Sequence, residues 1–181
     1  MTTGDDTHPD DERWLARAIE LATLNVASGG GPFGAVIVRG GEVLAEGQNR
    51  VTETLDPTAH AEVVAIRAAC QAVGDFSLAS PTPASTTTPG STSIPGTTTT
   101  LYASCEPCPL CLSAALWARV DRVVYAADRD DAARGGFDDR EFYELFSRER
   151  STWHIAIDSL RLENSPEPFD AWLAHDRRTR Y

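Results

Sequence analysis

Two short motifs bring together residue types that can hold a metal ion. The first spans residues 60–62 (His-Ala-Glu) and the second spans residues 107–111 (Pro-Cys-Pro-Leu-Cys). Each lies at the predicted start of a helix, where cysteines three positions apart can face one ion and the positive helix end favours thiolate. Zinc binds imidazole and thiolate, and a catalytic zinc site has three protein ligands and a fourth position for water. We therefore predict a Zn²⁺ site formed by His60, Cys108 and Cys111.

Glu62 follows the predicted histidine ligand by two residues, so its carboxylate can lie beside the metal without binding it. From that position it can take a proton from water and deliver it to a ring nitrogen and then to a leaving amine. Zinc lowers the pKa of a bound water towards about 7, which makes hydroxide available at neutral pH. The pattern H-x-E followed by P-C-x-x-C is the signature of zinc deaminases, so we predict that Glu62 is catalytic.

Two further cysteines leave alternatives open. Cys105 could complete a closed four-ligand structural zinc site, although that interpretation leaves Glu62 and Pro107 unexplained. We interpret Cys105 instead as a thiol that packs close to the site, and Cys70 as a small core residue. A lone histidine at a helix start is usually a surface or capping residue, and only the paired motif argues against that interpretation of His60.

The elements that must position these motifs alternate between helices and strands after an initial hairpin. We predict helices over residues 10–28, 60–73, 108–118, 141–146 and 168–178, and strands over residues 33–38, 43–48, 101–104, 122–127 and 154–162. The apolar face of the first helix is predicted to comprise Trp14, Leu15, Ala18, Ile19, Ala22 and Val26. This order predicts an α/β fold in which a sheet lies between two layers of helices, a three-layer α/β/α sandwich.

Length and charge narrow the class of protein. The 181 residues fit a single domain, residues 1–181, and the net charge of −11 repels phosphate backbones, so we expect no nucleic-acid partner. No run of about 18 apolar residues is present, so we expect no membrane partner. The acidic N-terminus lacks the basic start and apolar core of a signal peptide, and we expect a cytoplasmic protein.

Further segments match a known family along nearly the whole chain. They are residues 30–38, 46–49, 56–63, 65–67, 104–111, 117–119, 132–133, 136–139, 168–172 and 181. With the zinc motifs, they resemble the cytidine deaminase superfamily and, within it, the bacterial guanine deaminases. Residues 136–139 (Gly-Phe-Asp-Asp) and Tyr181 favour the guanine group. The resemblance implies the cytidine deaminase-like fold, one Zn²⁺ per subunit and a small heterocyclic base as the substrate.

The resemblance also implies roles for residues outside the metal shell. Asn49 would hydrogen-bond the purine, Phe33 would stack on its ring, and the backbone N–H of Ala61 would contact the base. Asp139 would make a further polar contact and could shuttle a proton to the departing ammonia. The segment from about residue 140 to 181 is exchanged between two subunits in that family, so Tyr181 would close the pocket of the partner in a homodimer.

From the residues alone, four of these side chains also have a purely structural interpretation. Asn49 could simply make a turn, Phe33 could be a core residue, Asp139 could be a solvated or capping carboxylate, and Tyr181 could be a frayed terminus.

Two features depart from the family pattern. Leu110 stands where the family usually has methionine, a change that conserves size. Residues 80–100 consist almost entirely of Ser, Thr, Pro, Gly and Ala, and we predict a flexible surface insertion there that is longer than the family's connection.

The function predicted by the resemblance is hydrolytic deamination of guanine to xanthine and ammonia, with Glu62 as the proton shuttle. The alternative is deamination of guanosine, a triazine or another modified base or nucleoside. A tRNA adenosine deaminase shares the zinc motifs, but the acidic balance and the C-terminal resemblance argue against it. A zinc-stabilised protein without catalysis is a fourth hypothesis, which the presence of Glu62 disfavours.

Overall fold

The computed structural model describes residues 8–79, 98–137 and 139–180. The helices are α1 (Asp11–Ala27), α2 (Val51–Thr54), α3 (Ala61–Val73), α4 (Pro109–Trp117), α5 (Arg129–Arg134), α6 (Arg140–Phe146) and α7 (Glu167–Ala174), with a 3₁₀ turn at Arg150–Thr152. The strands are β1 (Gly34–Arg39), β2 (Glu42–Gln48), β3 (Thr99–Cys105) and β4 (Arg122–Ala127). Every predicted helix is therefore present, and four of the five predicted strands are.

The strands form one mixed sheet in the order β2-β1-β3-β4. Strand β1 pairs antiparallel with both β2 and β3, whereas β3 and β4 run parallel. A parallel pair needs a crossover, and α4 supplies it between β3 and β4. The second zinc motif lies in this crossover, directly after the end of β3.

Alternating residues of β1 face two different layers of helices, as the period of two in a strand requires. Val36 and Val38 pack against α1 on one face of the sheet. Ala35 and Ile37 pack on the other face, in a cluster that contains apolar residues of α3 and α4. The three-layer α/β/α sandwich is thus confirmed, and both predicted zinc motifs belong to the same layer.

Two buried glycines allow the helices to lie directly on the hairpin. A Cβ on Gly34 would lie 2.3 Å from the Ala18 carbonyl oxygen of α1, and one on Gly47 would lie 2.1 Å from the Ala61 carbonyl oxygen of α3. No side chain fits at either position. The close approach at Gly47 fixes the start of α3, which carries the first zinc motif, against the end of β2.

The buried face of α1 differs from the prediction. Ile19 and Val26 are 46% and 52% exposed, whereas Leu21 and Asn25 are buried. Periodicity placed the apolar stripe correctly around Trp14 and Ala18, but the sheet covers a stripe that continues through Leu21 to Asn25. The prediction was therefore wrong at the margins of the stripe, and it missed two buried residues, Leu21 and the polar Asn25.

Three other predictions need correction or lie outside the described residues. Residues 154–162 form no strand, because no strand of the described part of the chain pairs with them. Thr99 and Thr100, predicted to belong to the insertion, are buried residues of β3. Of the rest of the predicted insertion, Thr98 is exposed, and residues 80–97 lie outside the described part of the chain. Within the described ranges, no helix has the length and apolar character needed to cross a bilayer.

Candidate active site

Two helix N-termini meet at the predicted metal ligands. His60 is the N-cap residue of α3 and Cys108 is the N-cap residue of α4, both with extended backbone, while Cys111 lies in the first turn of α4. Pro109 at the first position of α4 suits a helix start, since its missing N–H has no intrahelical partner in any case. The positive ends of two helices thus converge on one point, which favours the anionic form of a thiol.

The three side chains lie at the distances that a tetrahedral zinc site requires. Nδ1 of His60 lies 3.6 Å from Sγ of Cys108 and 3.5 Å from Sγ of Cys111, and the two sulfur atoms are 3.6 Å apart. Zinc–sulfur bonds of about 2.3 Å and a zinc–nitrogen bond of about 2.0 Å place such ligands about 3.5–3.8 Å apart. The donor set and its geometry therefore fit zinc, and a fourth position remains for a small molecule. Within the described residues, these three form the only such group of potential ligands.

The protonation of the two cysteines supports the same conclusion. The hydrogen bond from the Cys111 thiol lowers the pKa of Cys108, against the effect of burial, and the same contact raises the pKa of Cys111. Hydrogen bonding to Cys108 raises the pKa of His60. One thiolate is thus already favoured, and metal binding releases the remaining protons because ligands bind deprotonated.

Glu62 lies beside these ligands and does not belong to them. It is 7% exposed, in the first turn of α3, and burial raises the pKa of its carboxyl, while a hydrogen bond with Cys111 acts in the opposite direction. A carboxyl whose pKa lies nearer to the working pH exchanges protons more effectively than an exposed one. The arrangement suits a group that accepts a proton and returns it.

A cavity of about 430 Å³ opens over the candidate ligands. This volume is within the range of sites that bind small molecules. Residues lining it include His60, Cys108 and Glu62, and three of the five residues to which the sequence resemblance gave roles outside the metal shell. Those three are Phe33, Asn49 and Asp139; Ala61 is fully buried and not part of the lining surface, and Tyr181 lies outside the described residues.

The aromatic wall of the cavity consists of two phenylalanines. Phe33 and Phe137 both line it, with ring centroids 5.0 Å apart and an interplanar angle of 85°. Phe33 also packs against the core, so a core position and a place on the cavity wall are compatible for this residue. Sequence reasoning gave Phe137 no role, although residues 136–139 were part of the resemblance; an aromatic residue within a matched, otherwise polar segment was the available signal.

Asn49 directly follows β2 and is hydrogen-bonded to Phe33. Its backbone N–H donates to the Phe33 carbonyl at 3.1 Å, and its Oδ1 accepts from the backbone N–H of Val51 at 3.3 Å. The residue therefore does make a turn, and it also lines the cavity. The two interpretations that the sequence left open are compatible.

Asp139 is held over the cavity by the elements around it. It is the N-cap residue of α6, with no side-chain capping hydrogen bond, and its charge helps to raise the pKa of His60. Tyr143 of the same helix donates from its hydroxyl to the carbonyl of Pro107 at 2.5 Å. This bond joins α6 directly to the loop that precedes Cys108.

An ion pair between Arg129 and Glu106 lies beside the contact of Tyr143 with Pro107. Nε of Arg129 donates to Oε2 of Glu106 at 2.9 Å, and the guanidinium of Arg129 lies 4.2 Å from the centre of the Tyr143 ring. Glu106 lines the cavity, and the hydrogen bond from Arg129 lowers the pKa of its carboxyl. Sequence reasoning missed this cluster, because its members are close only in the folded chain.

The remaining cysteines do not reach the metal site. Sγ of Cys105 donates to the carbonyl of Asp128 at 3.5 Å, and burial raises its pKa to about 11, so it is a protonated packing thiol. Cys70 is half-buried and donates to the carbonyl of Phe76 at 3.7 Å. A closed site with Cys105 as fourth ligand is inconsistent with these positions.

Comparison with known proteins supports this site. The family described as the cytidine and deoxycytidylate deaminase zinc-binding region matches residues 8–127, which include the three candidate ligands and Glu62. The tRNA-specific adenosine deaminase of Agrobacterium fabrum (strain C58 / ATCC 33970) is 38% identical over 113 residues, which cover 60% of this chain and 62% of that protein.

Two guanine deaminases match more of the chain. That of Bacillus subtilis (strain 168) is 43% identical over 171 residues, which cover 94% of this chain and 98% of that protein. Its X-ray structure superposes on this chain with a TM-score of 0.81. The guanine deaminase of Nitrosomonas europaea is 31% identical, with a TM-score of 0.61, over 74% of this chain and 66% of that one.

Proposed function

The chain belongs to the cytidine and deoxycytidylate deaminase zinc-binding family, and we propose that it hydrolyses guanine to xanthine and ammonia. The observation that carries the proposal is the trio of His60, Cys108 and Cys111 at zinc-ligand distances beside the buried Glu62, at one end of a cavity. The choice of guanine is supported by the 43% identity to a guanine deaminase along 94% of the chain, including the C-terminal region.

The proposed reaction exchanges the amino group at C2 of guanine for an oxygen atom of water. One Zn²⁺ per subunit, held by the trio, would supply Lewis-acid chemistry and lower the pKa of water towards about 7. The Glu62 carboxylate accepts a proton from the attacking water and donates it to the ring nitrogen. It then takes the proton of the hydroxyl group now on C2 and delivers it to the amino group, so that the C2–N bond breaks, ammonia leaves and a carbonyl remains at C2.

The lining residues are proposed to hold the base in place. Phe33 stacks on the purine ring, with Phe137 against its edge, and Asn49 hydrogen-bonds the ring's polar edge. Ala61 begins α3, and its backbone N–H has no partner within the helix, so it can contact the base. Asp139 contacts the leaving ammonia from the opposite wall.

We also propose a homodimer in which residues from about 140 to 181 cross to the partner subunit. Apolar side chains of this segment lie more than half exposed: Phe146, Ile155, Ile157, Leu160, Leu162, Phe169 and Leu173. A second copy of the chain would cover them, since apolar surface of this extent usually marks an interface. Tyr181 would then close the pocket of the partner.

Mixed dimers test this exchange. A Glu62→Gln variant and a variant lacking Tyr181 should each lose guanine turnover. An equilibrated mixture of the two should regain part of it, because a pocket with intact Glu62 then receives the Tyr181 of the other subunit. No recovery in a mixture that demonstrably forms mixed dimers would mean that Tyr181 does not act across subunits.

A substrate screen tests the function itself. Ammonia release should be measured with the zinc-loaded protein against guanine, guanosine, cytosine, adenine, cytidine and ammeline. We expect the highest kcat/KM for guanine. A higher kcat/KM for guanosine or for ammeline would instead identify the substrate as a nucleoside or as a triazine.

The screen should also include a tRNA, because a tRNA-specific adenosine deaminase matches 60% of the chain. Loss of guanine turnover together with salt-sensitive tRNA binding would favour that function. The net charge of −11 and the match of 94% of the chain to a guanine deaminase support the free base instead.

A further inference from the structure

A buried asparagine lies directly behind the cavity without lining it. Asn25 belongs to the last turns of α1 and is 1% exposed. Its Nδ2 group donates to the carbonyl of Gly31 at 2.8 Å and to the carbonyl of Asn49 at 2.8 Å. Both hydrogens of the side-chain amide are thus used. Helix interiors rarely contain asparagine, because its side chain competes for backbone hydrogen bonds.

The two acceptors belong to two separate segments that line the cavity. Gly31 lies in the loop that leads to Phe33, and Asn49 directly follows β2; both line the cavity. The Asn49 N–H in turn donates to the Phe33 carbonyl. Asn25 therefore ties together, from outside the cavity, the two segments that carry the proposed stacking and hydrogen-bonding residues.

The adjacent glycines make these contacts possible. A Cβ on Gly30 would lie 2.4 Å from Nδ2 of Asn25, and one on Gly31 would lie 3.2 Å from Cγ of Asn49. The backbone N–H of Gly30 also donates to the Asn25 carbonyl at 2.9 Å, which ends α1. The loop is packed so closely on the Asn25 amide that loss of the amide must let the loop move.

We infer that Asn25 is a positioning residue for base recognition, acting through the backbone of Asn49 and Gly31. The inference rests on the proposed function, because it assigns Asn49 and Phe33 to the base. Glu62 and the zinc ligands lie at the starts of α3 and α4, whereas both hydrogen bonds that the Asn25 amide donates go to Gly31 and Asn49. Its loss therefore weakens binding in the ground state and the transition state alike, which raises KM and leaves kcat nearly unchanged.

The test is steady-state kinetics with guanine on an Asn25→Leu variant, which keeps the number and branching of the side-chain heavy atoms and removes both donors. We expect KM to rise by about tenfold or more and kcat to stay within about threefold. Zinc content should equal that of the unsubstituted chain. If the leucine variant does not fold, Asn25→Ser keeps the test possible, since a hydroxyl can retain one of the two bonds.

Gln48→Leu is the matched control. Nε2 of Gln48 donates to the carbonyl of Leu21 at 2.8 Å, so it also joins β2 to α1 by one amide-to-carbonyl bond. Gln48 precedes Asn49 directly but does not line the cavity. Its KM should stay within about twofold of the unsubstituted value. An equal rise in KM in Asn25→Leu and Gln48→Leu would mean that losing any hydrogen bond between α1 and this part of the fold weakens substrate binding. That result would overturn the inference.

A double-mutant cycle with Asn49→Ala separates positioning from loosening. If Asn25 acts through Asn49, adding Asn25→Leu to the Asn49→Ala background should raise KM by less than half of its effect alone. Fully additive effects would contradict the inference. Guanine turnover by the unsubstituted chain with an unchanged KM in Asn25→Leu would refute only this inference. No guanine turnover by the unsubstituted chain would refute the proposed function, and this inference with it.

Discussion

Nδ1 of His60 lies 3.5 Å from Sγ of Cys111, although 51 positions separate the two residues in the chain. Each belongs to a helix start, and those starts meet because α3 packs directly on β2 while α4 follows the end of β3. The ligand set therefore depends on the sheet and on two helices of one layer. Local changes far from the ligands should affect metal binding as well as stability.

The ligand set is tested by metal analysis of single variants. His60→Ala and Cys111→Ser should each lose most of the bound zinc, because a three-ligand site that loses one ligand binds far more weakly. Zinc per chain should be measured after exhaustive dialysis. Cys105→Ser is the control, since its hydroxyl can still donate to Asp128 and the residue is outside the trio. Loss of zinc in Cys105→Ser would revive the closed four-ligand site.

Gly47→Ala should disturb both the fold and the metal site. The new methyl group would lie 2.1 Å from the Ala61 carbonyl oxygen, so α3 must move away from β2. We expect a loss of about 1–3 kcal/mol in the free energy of unfolding, with weaker zinc binding. Urea unfolding and a competition assay with a zinc chelator measure the two effects. Gly135→Ala is the control: at this exposed helix end the added Cβ would lie 3.2 Å from the Ala132 carbonyl oxygen. It should change neither the free energy of unfolding nor zinc binding.

Asp139→Asn should reduce turnover without reducing zinc content. The residue lines the cavity and its charge acts on His60, so the neutral amide removes the carboxylate that is proposed to contact the leaving ammonia. We expect kcat to fall by about tenfold or more. Glu141→Gln, an exposed residue two positions along the same helix, is the matched control and should keep the original kcat. Equal kcat values in the two variants would remove Asp139 from the mechanism.

Asp11 should make stability depend on acid pH. Arg122 donates two hydrogen bonds of 2.7 Å to it and Tyr102 donates a third, which hold the pKa of Asp11 well below its usual range. A lowered pKa in the folded state stabilises the protein above the unfolded-state pKa of about 3.9, and this contribution disappears as pH falls below it. Because Asp11→Asn replaces only this carboxyl, the difference in unfolding free energy between the variant and the unsubstituted chain isolates the contribution of Asp11.

Asp11→Asn should therefore cost about 1–3 kcal/mol of unfolding free energy at pH 7, and the difference from the unsubstituted chain should shrink below about pH 4. Urea unfolding across this pH range provides the measurement. Glu144→Gln breaks a pair with Arg148 in which both side chains are more than half exposed, and should change stability by less than about 0.5 kcal/mol. A difference at Asp11 that does not vary with pH would rule out the ion pair as its origin.

The helices that carry the zinc motifs could be predicted from the sequence because their signals are local. A proline at the first position of α4 and ligands spaced by three residues require no knowledge of distant contacts. The contact of Phe33 with Phe137, and that of Arg129 with Glu106 and Tyr143, could not be predicted, since each joins separate elements of the folded chain.

Two patterns misled the prediction for physical reasons. Residues 154–162 carry the alternation typical of a strand, but a strand also needs a hydrogen-bonded neighbour, and the described part of one chain offers none. In α1, hydrophobicity favoured Ile19 and Val26 over Asn25, yet Asn25 is buried because two backbone carbonyls accept its amide. The exchange of the C-terminal segment and the cytoplasmic location stay predictions.

The most direct test of the central claim compares the unsubstituted chain with Glu62→Gln, both loaded with zinc, in the hydrolysis of guanine. Glutamine preserves the size of the side chain but cannot accept and return the proton. The unsubstituted chain should form xanthine and ammonia in equal amounts, and Glu62→Gln should hold the same zinc with kcat lower by a factor of about 100 or more. Turnover of Glu62→Gln at nearly the original rate, or no xanthine from the zinc-loaded unsubstituted chain, would contradict the account.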